Sequence, residues 1–323
     1  MNRFASLAAA SLFALALTAC GDKDEAGTAP EAVVAKAAAT PTDAITESAR
    51  LLKQGDLLAV VKLSVPPAEF ERMKARWSNE AAREQPTEEE RKQFAEMMAK
   101  LTAPDAETAL MAEFEPHLAK YDAEMAAQMP LMVGMGRGFA VQAIQENKEF
   151  TPEQKVQATQ TLDAIAKWLG ETNFGDRERA RRAVEVAVAT ARKVDLQTLE
   201  QVHALSFEQM LQKAGVAFVG IKDLLAVYGF GLDGIFDSVG AELVSEQGDT
   251  ALVKVNYRMF EQPLSFQTEM TRVDGRWFGK DTVEQLTREL DEVEDAAEDA
   301  TDAVDGDVDA DADTEADAAP VEG

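Results

Sequence analysis

Near residue 240 the spacing of apolar residues changes from helical to alternating, and that change limits the architecture more than any other property of the chain. Before it, helix-start signals recur. Thr87-Glu88-Glu89-Glu90, Thr151-Pro152-Glu153-Gln154 and Ser206-Phe207-Glu208-Gln209 each match a capping box. In such a box the hydroxyl accepts a backbone N–H and the Glu or Gln side chain returns the bond. Pro152 falls at the first helical position, where its missing N–H costs nothing. Val156, Leu162, Ile165, Trp168 and Leu169 then follow helical spacing, and 176–194 predicts another helix with Ala183, Val184, Val186, Ala187 and Ala191 on one side. After residue 240 the odd positions of Ala251–Met259 are apolar, as are the even positions of Leu264–Met270, which predicts half-buried strands. Gly248-Asp249 and Asp274-Gly275 separate the strands, the second pair being a type I′ hairpin signal. The expected fold is therefore α+β, predominantly helical, with a C-terminal antiparallel β-meander of three or four strands. A last helix is expected from Thr282, where Gln285 completes a fourth capping box.

The two ends differ from this body. Residues 1–19, MNRFASLAAASLFALALTA, carry Arg3 and then an apolar run from Leu7 to Leu17. The run is too short to span a bilayer, which takes about 20 apolar residues, and suits a signal peptide. It ends in Leu17-Thr18-Ala19-Cys20-Gly21. This segment resembles the lipobox of bacterial lipoproteins. The resemblance implies cleavage before Cys20, a diacylglyceryl thioether on its sulfur, and acylation (palmitate, for example) of the amine that is freed. Cys20 is the only cysteine in the chain. One acyl chain binds a membrane only marginally, whereas two or three hold firmly. In Gram-negative lipoproteins an Asp directly after the lipidated Cys commonly retains the protein in the inner membrane. Here that residue is Gly21, so the resemblance implies the periplasmic face of the outer membrane.

The domain organisation follows: a signal peptide at 1–19, an Ala-rich flexible tether at 20–41, the helical body at 42–239, the meander and the start of the last helix at 240–288, and an acidic tail at 289–323. No Lys or Arg follows Arg288. The tail is expected to be disordered, because it cannot bury enough apolar surface to offset its ordering entropy. It reads as a solubilising segment with capacity for weak contact with divalent cations or a basic partner. Asp307, Asp309 and Asp311 do not make an EF-hand, since Ala312 and Ala318 stand where Gly and Glu are needed.

Composition narrows the function by exclusion. With 32 Lys+Arg against 59 Asp+Glu the net charge is −27, which argues against nucleic acid as a partner. Two histidines and one cysteine cannot build a disulfide framework or a zinc ribbon. His117 and His203 lack metal-ligand spacing and read as ordinary surface or satisfied side chains. No G-x-S-x-G or H-E-x-x-H occurs. Gly229-Phe230-Gly231-Leu232-Asp233-Gly234 matches G-x-G-x-x-G, but a dinucleotide site needs a strand before it, so the expectation is a Gly-rich turn. Gly134-Met135-Gly136-Arg137-Gly138 is expected to be a bend between apolar segments. Met125, Met129, Met132 and Met135 are read as core or helix-packing residues in preference to a soft-metal site or an adaptable groove.

Ile45–Val61, a helix, a Gly-Asp break and a second helix, together with the terminal meander, is similar to the nuclear-transport-factor-like α+β cone. That family includes lipoproteins of unknown function and the ketosteroid isomerase type. In such a cone Tyr257 or Asp237 could face a cavity, beside Trp277; core Tyr and surface Asp are the plainer expectation. No catalytic, cofactor or metal residue is assigned. The sequence thus implies a lipid-anchored, non-catalytic envelope lipoprotein whose body meets a periplasmic partner or ligand. The alternative is a small-ligand binder or isomerase-like enzyme with a cone-shaped cavity, and a third class is an envelope hydrolase working through carboxylates.

Overall fold

A computed structural model describes residues 39–83, 86–148 and 150–305, with the backbone alone for 80–83 and 293–305. The chain divides into two units, one ending at Val283 and one beginning at Glu284. The first unit runs α1 (Pro41–Gln54), α2 (Leu57–Ser64), α3 (Pro67–Arg83), α4 (Glu88–Thr102), α5 (Ala106–Lys120), a π-helical turn (Tyr121–Met125), α6 (Met129–Glu146), α7 (Pro152–Glu171), α8 (Arg177–Val194), α9 (Leu199–His203), α10 (Phe207–Val227) and α11 (Leu232–Phe236). Four strands follow: β1 (Gly240–Gln247), β2 (Thr250–Met259), β3 (Gln262–Val273) and β4 (Arg276–Gly279). The fold is α+β, predominantly helical, with a C-terminal four-stranded antiparallel meander in the order β1-β2-β3-β4.

The helix starts obey local chemistry. Thr87, Thr151 and Ser206 close the capping boxes that their sequences predict. Thr198 closes another with Gln201, ahead of the short α9, and Asp56 and Asp176 cap α2 and α8 with their carboxylates. Such a cap contributes about 1 kcal/mol. Gly55 ends α1 at a φ of 74°, and the N–H of Asp56 returns to Leu51 O.

Burial in β2 alternates strictly: Ala251, Val253, Val255, Tyr257 and Met259 are all inside. This face packs on α1 and α2 and on Phe236 of α11 in one apolar cluster that includes Leu52, Val60, Leu63 and Trp277. The opposite face is covered less, as an antiparallel sheet allows. A second cluster joins Ala164 of α7 to Ile235, Tyr257, Met259 and Leu264, and a third joins Ala106 and Leu110 of α5 to Val184 and Val188 of α8. Each fully buried aliphatic or aromatic side chain contributes about 1.5–3 kcal/mol.

Two hairpins match their signals. Asp274 and Gly275 both have positive φ, as a type I′ turn demands, and Gly248 has φ 61° between the paired Gln247 and Thr250. The hairpin between β2 and β3 has no such signal. Its loop is Phe260-Glu261, yet both residues are left-handed, at φ 48° and 65°.

The last helix, α12 (Lys280–Asp305), departs from expectation at both ends. It begins directly after β4, so Thr282 lies inside it and does not cap it. It also continues through residue 305, where the acidic segment was expected to be disordered from 289. The segment carries Leu286, Leu290 and Val293 at helical spacing among Glu and Ala, which are good helix formers. Residues 306–323 lie outside the described residues.

Candidate functional site

Cys20 and the segment before it that resembles a lipobox lie outside the described residues. The helix α6 runs unbroken through Gly134, Gly136 and Gly138, where a bend was expected. Pro130 sits in its first turn, where it does no harm. The helix pairs with α7 as an antiparallel hairpin. Arg137 Nε meets Asp163 Oδ1 at 2.6 Å, and Lys155 Nζ donates to Gln145 O at 2.6 Å. Val133, Ala140, Val141 and Ile144 of α6 are half-buried. Three interior glycines cost about 1 kcal/mol each relative to Ala, and packing on one side outweighs them.

The methionines are the second correction. Met125, Met132 and Met135 are exposed instead of being core, and Met129 is half-buried. Leu131 is 67 % exposed, Phe139 70 %, Met135 57 % and Met132 49 %. At about 100° per residue these four lie on one side of α6, opposite the residues that are half-buried. A helix apolar all round is ordinarily a buried one, and an exposed contiguous apolar patch marks an interaction surface. The glycines sharpen the point. A Cβ at Gly215 or Gly220 would collide with Gly55 or Thr190, so those positions are glycine for close packing within the chain. A Cβ at Gly134, Gly136 or Gly138 would meet none of the described residues within 4 Å.

A half-exposed aromatic group stands at the far end of α7. Trp168 lies 5.0 Å from Phe230, 5.9 Å from Phe174 and 6.3 Å from Phe260, stacked on the last of these. Its indole N–H donates to Tyr228 O at 2.9 Å. Burial pushes the Tyr228 hydroxyl above its ordinary pKa. The two-residue loop between the paired Met259 and Gln262 sets Phe260 in a left-handed conformation, a genuine outlier for a bulky residue, and its ring packs on Trp168 and Phe230. The G-x-G-x-x-G run that supplies Phe230 is a helix-to-helix turn: Gly229 ends α10 at φ 87°, Phe230 N–H returns to Leu225 O, and α11 follows. A helix precedes it, not the strand of a dinucleotide fold.

Lys222 is the one buried cation in the described body that the sequence did not single out. Its ammonium donates to Asp233 Oδ1 at 2.6 Å and to Lys53 O, and lies over the Phe218 and Phe236 rings. Asp237 is a surface residue paired with Lys53 at 3.0 Å. Tyr257 and Trp277 are core residues in separate apolar clusters. His117 is exposed and His203 half-buried. Among the described residues no group of three His, Cys, Asp or Glu could hold a metal ion, and no helix is long and apolar enough to cross a membrane.

The sequence did not foretell the α6 surface, although its signal was there: Arg137 is the only charged residue between Glu124 and Glu146. The aromatic group had no local signal, because its members come from three separate stretches, 168–174, 228–230 and 260. The chain matches none of the protein families, curated proteins or solved structures with which it was compared.

Proposed function

We propose that this protein is a lipid-anchored lipoprotein of the cell envelope whose body binds a partner and carries out no chemistry of its own. The observation that carries the reading is Leu17-Thr18-Ala19-Cys20, with the chain's sole cysteine at the position that lipidation uses. Lipid on Cys20 would hold the protein to a leaflet. Residues 21–39 would lie between that anchor and Thr40, which caps α1. A tether of that length spans roughly 25 Å as a flexible coil. Gly21 after the cysteine favours the periplasmic face of the outer membrane. The exposed apolar side of α6 supports association with another protein surface, a second copy included, as the body's task. The test is metabolic labelling with [³H]palmitate in a bacterial host, paired with intact-mass measurement of the purified protein. Label that disappears in Cys20→Ala, with a mature chain starting at residue 20, is the expected result. Label that persists in that variant, or an unmodified thiol in the wild type, overturns the reading.

A further inference from the structure

We infer that α6 is a self-association surface, and that two copies of the chain pack their α6 helices antiparallel to form a symmetric dimer. Three observations carry this. Leu131, Met132, Met135 and Phe139 are large, apolar and exposed on one side of the helix. Gly138, seven residues after Leu131 and at the edge of the same side, has open space where a Cβ would stand, so a side chain of another copy can enter there. The stretch from Met125 to Gln145 carries one charge, Arg137, and Asp163 of α7 already neutralises it.

The charge decides the occupant. The chain carries −27, so two copies repel over most of their surfaces, and α6 is the long stretch where they meet without opposing like charges. An anionic bilayer is disfavoured, because an interfacial helix relies on flanking Lys and Arg, and α6 has none beyond the neutralised Arg137. The pattern is also self-complementary. With a two-fold axis at Met135, antiparallel copies place Leu131 opposite Phe139, Met132 opposite Gly138, and Gln128 opposite Gln142. Apolar side chains of one copy then meet apolar side chains or Gly138 of the other, and uncharged Gln128 meets Gln142, the self-complementarity that an isologous interface requires. Two α6–α7 hairpins joined this way make a four-helix bundle, the ordinary means of burying such a face.

The full chain carrying Cys20→Ser, which can form neither a lipid anchor nor a disulfide, is the protein to test, so the outcome is independent of lipidation. Sedimentation velocity across a concentration series is expected to show a monomer of about 35 kDa converting to twice that mass. Leu131→Glu with Phe139→Glu should abolish the conversion with an unchanged far-UV circular dichroism spectrum. Gly138→Leu should weaken dimerisation at least tenfold and leave the monomer folded, since none of the described residues occupies that space. Met135→Cys should cross-link to itself on oxidation, whereas Leu243→Cys, exposed on β1, should not. A monomer at every concentration overturns the inference. So does a dimer that survives the double Glu substitution, or α6-dependent binding to phosphatidylcholine–phosphatidylglycerol vesicles by a chain that stays monomeric.

Discussion

Gly55 and Gly215 face each other backbone to backbone where α10 crosses the turn between α1 and α2. A Cβ on Gly55 would stand 3.1 Å from Gly215 O, and a Cβ on Gly215 would be forced into the Gly55 carbonyl. Gly55 must be glycine twice over, since its φ is 74° as well. The main core, which holds Leu52, Leu57, Val60 and the inner face of β2, depends on this approach.

Gly215→Ala should therefore destabilise the protein by about 1–3 kcal/mol, the cost of overpacking, despite a gain of about 1 kcal/mol in helix propensity. Gly136→Ala, in open space on α6, should stabilise by up to about 1 kcal/mol for the same propensity reason. Urea midpoints of the two variants moving in opposite directions is the expected result. A shared direction would count against the packing argument.

The Phe260-Glu261 loop makes a second pair of opposed predictions. Left-handed backbone costs an ordinary residue about 1–2 kcal/mol, so Glu261→Gly should stabilise by about 1 kcal/mol. Phe260→Gly relieves the same strain but loses the Trp168 and Phe230 contacts. Burying a Phe contributes about 1.5–3 kcal/mol and aromatic pairs about 0.5–1.5 kcal/mol each. The net loss should be about 1–2 kcal/mol, read by thermal denaturation together with a change in Trp168 fluorescence.

At Lys222 the two partners are unequally placed: Lys222 has 5 % of its side chain exposed and Asp233 53 %. Removing the buried charge should be easier than orphaning it. Lys222→Met fills the space between Phe218 and Phe236 and leaves a solvated carboxylate and the Lys53 carbonyl without the ammonium as donor, so stability should fall by only about 1 kcal/mol. Asp233→Ala leaves the ammonium with Lys53 O and two rings, and should cost up to about 3 kcal/mol. Chemical denaturation that ranks the variants the other way would refute this account of the pair.

Acid should act unevenly on the helix starts. Among the described residues four capping boxes are present, and of these only that of α4 uses a carboxylate, Glu90. Hydrogen bonds from the Thr87 backbone N–H, then its hydroxyl, hold the Glu90 carboxyl below its ordinary pKa. A group lowered in this way adds stability in full above its ordinary value, about 4.3, and loses it as pH falls through the lowered one. Amide exchange at the start of α4 should quicken below about pH 4 relative to the starts of α7 and α10, whose boxes use Gln. Glu90→Gln should remove that difference.

Much of the fold is legible in the sequence because the forces concerned act over a few residues. A hydroxyl reaches a backbone N–H three positions on, so Thr87, Thr151 and Ser206 announce their helices. Alternation needs only a pleat, so Ala251 to Met259 declare their strand and its inner face. Asp274-Gly275 needs only its own dihedral preferences. The sequence by itself therefore determined the α+β class, the meander and the starts of α4, α7, α8 and α10. Tertiary structure decided the rest. Pairing with α7 keeps α6 helical across three glycines, against their propensity. The pairing of Met259 with Gln262 imposes a left-handed turn on Phe260, and rings from α7 and the α10–α11 turn pack against it. The methionines at 132 and 135 point outward because α7 covers the opposite side of the same helix. Such outcomes depend on which surfaces meet, and that is set by the packing of segments far apart in the chain.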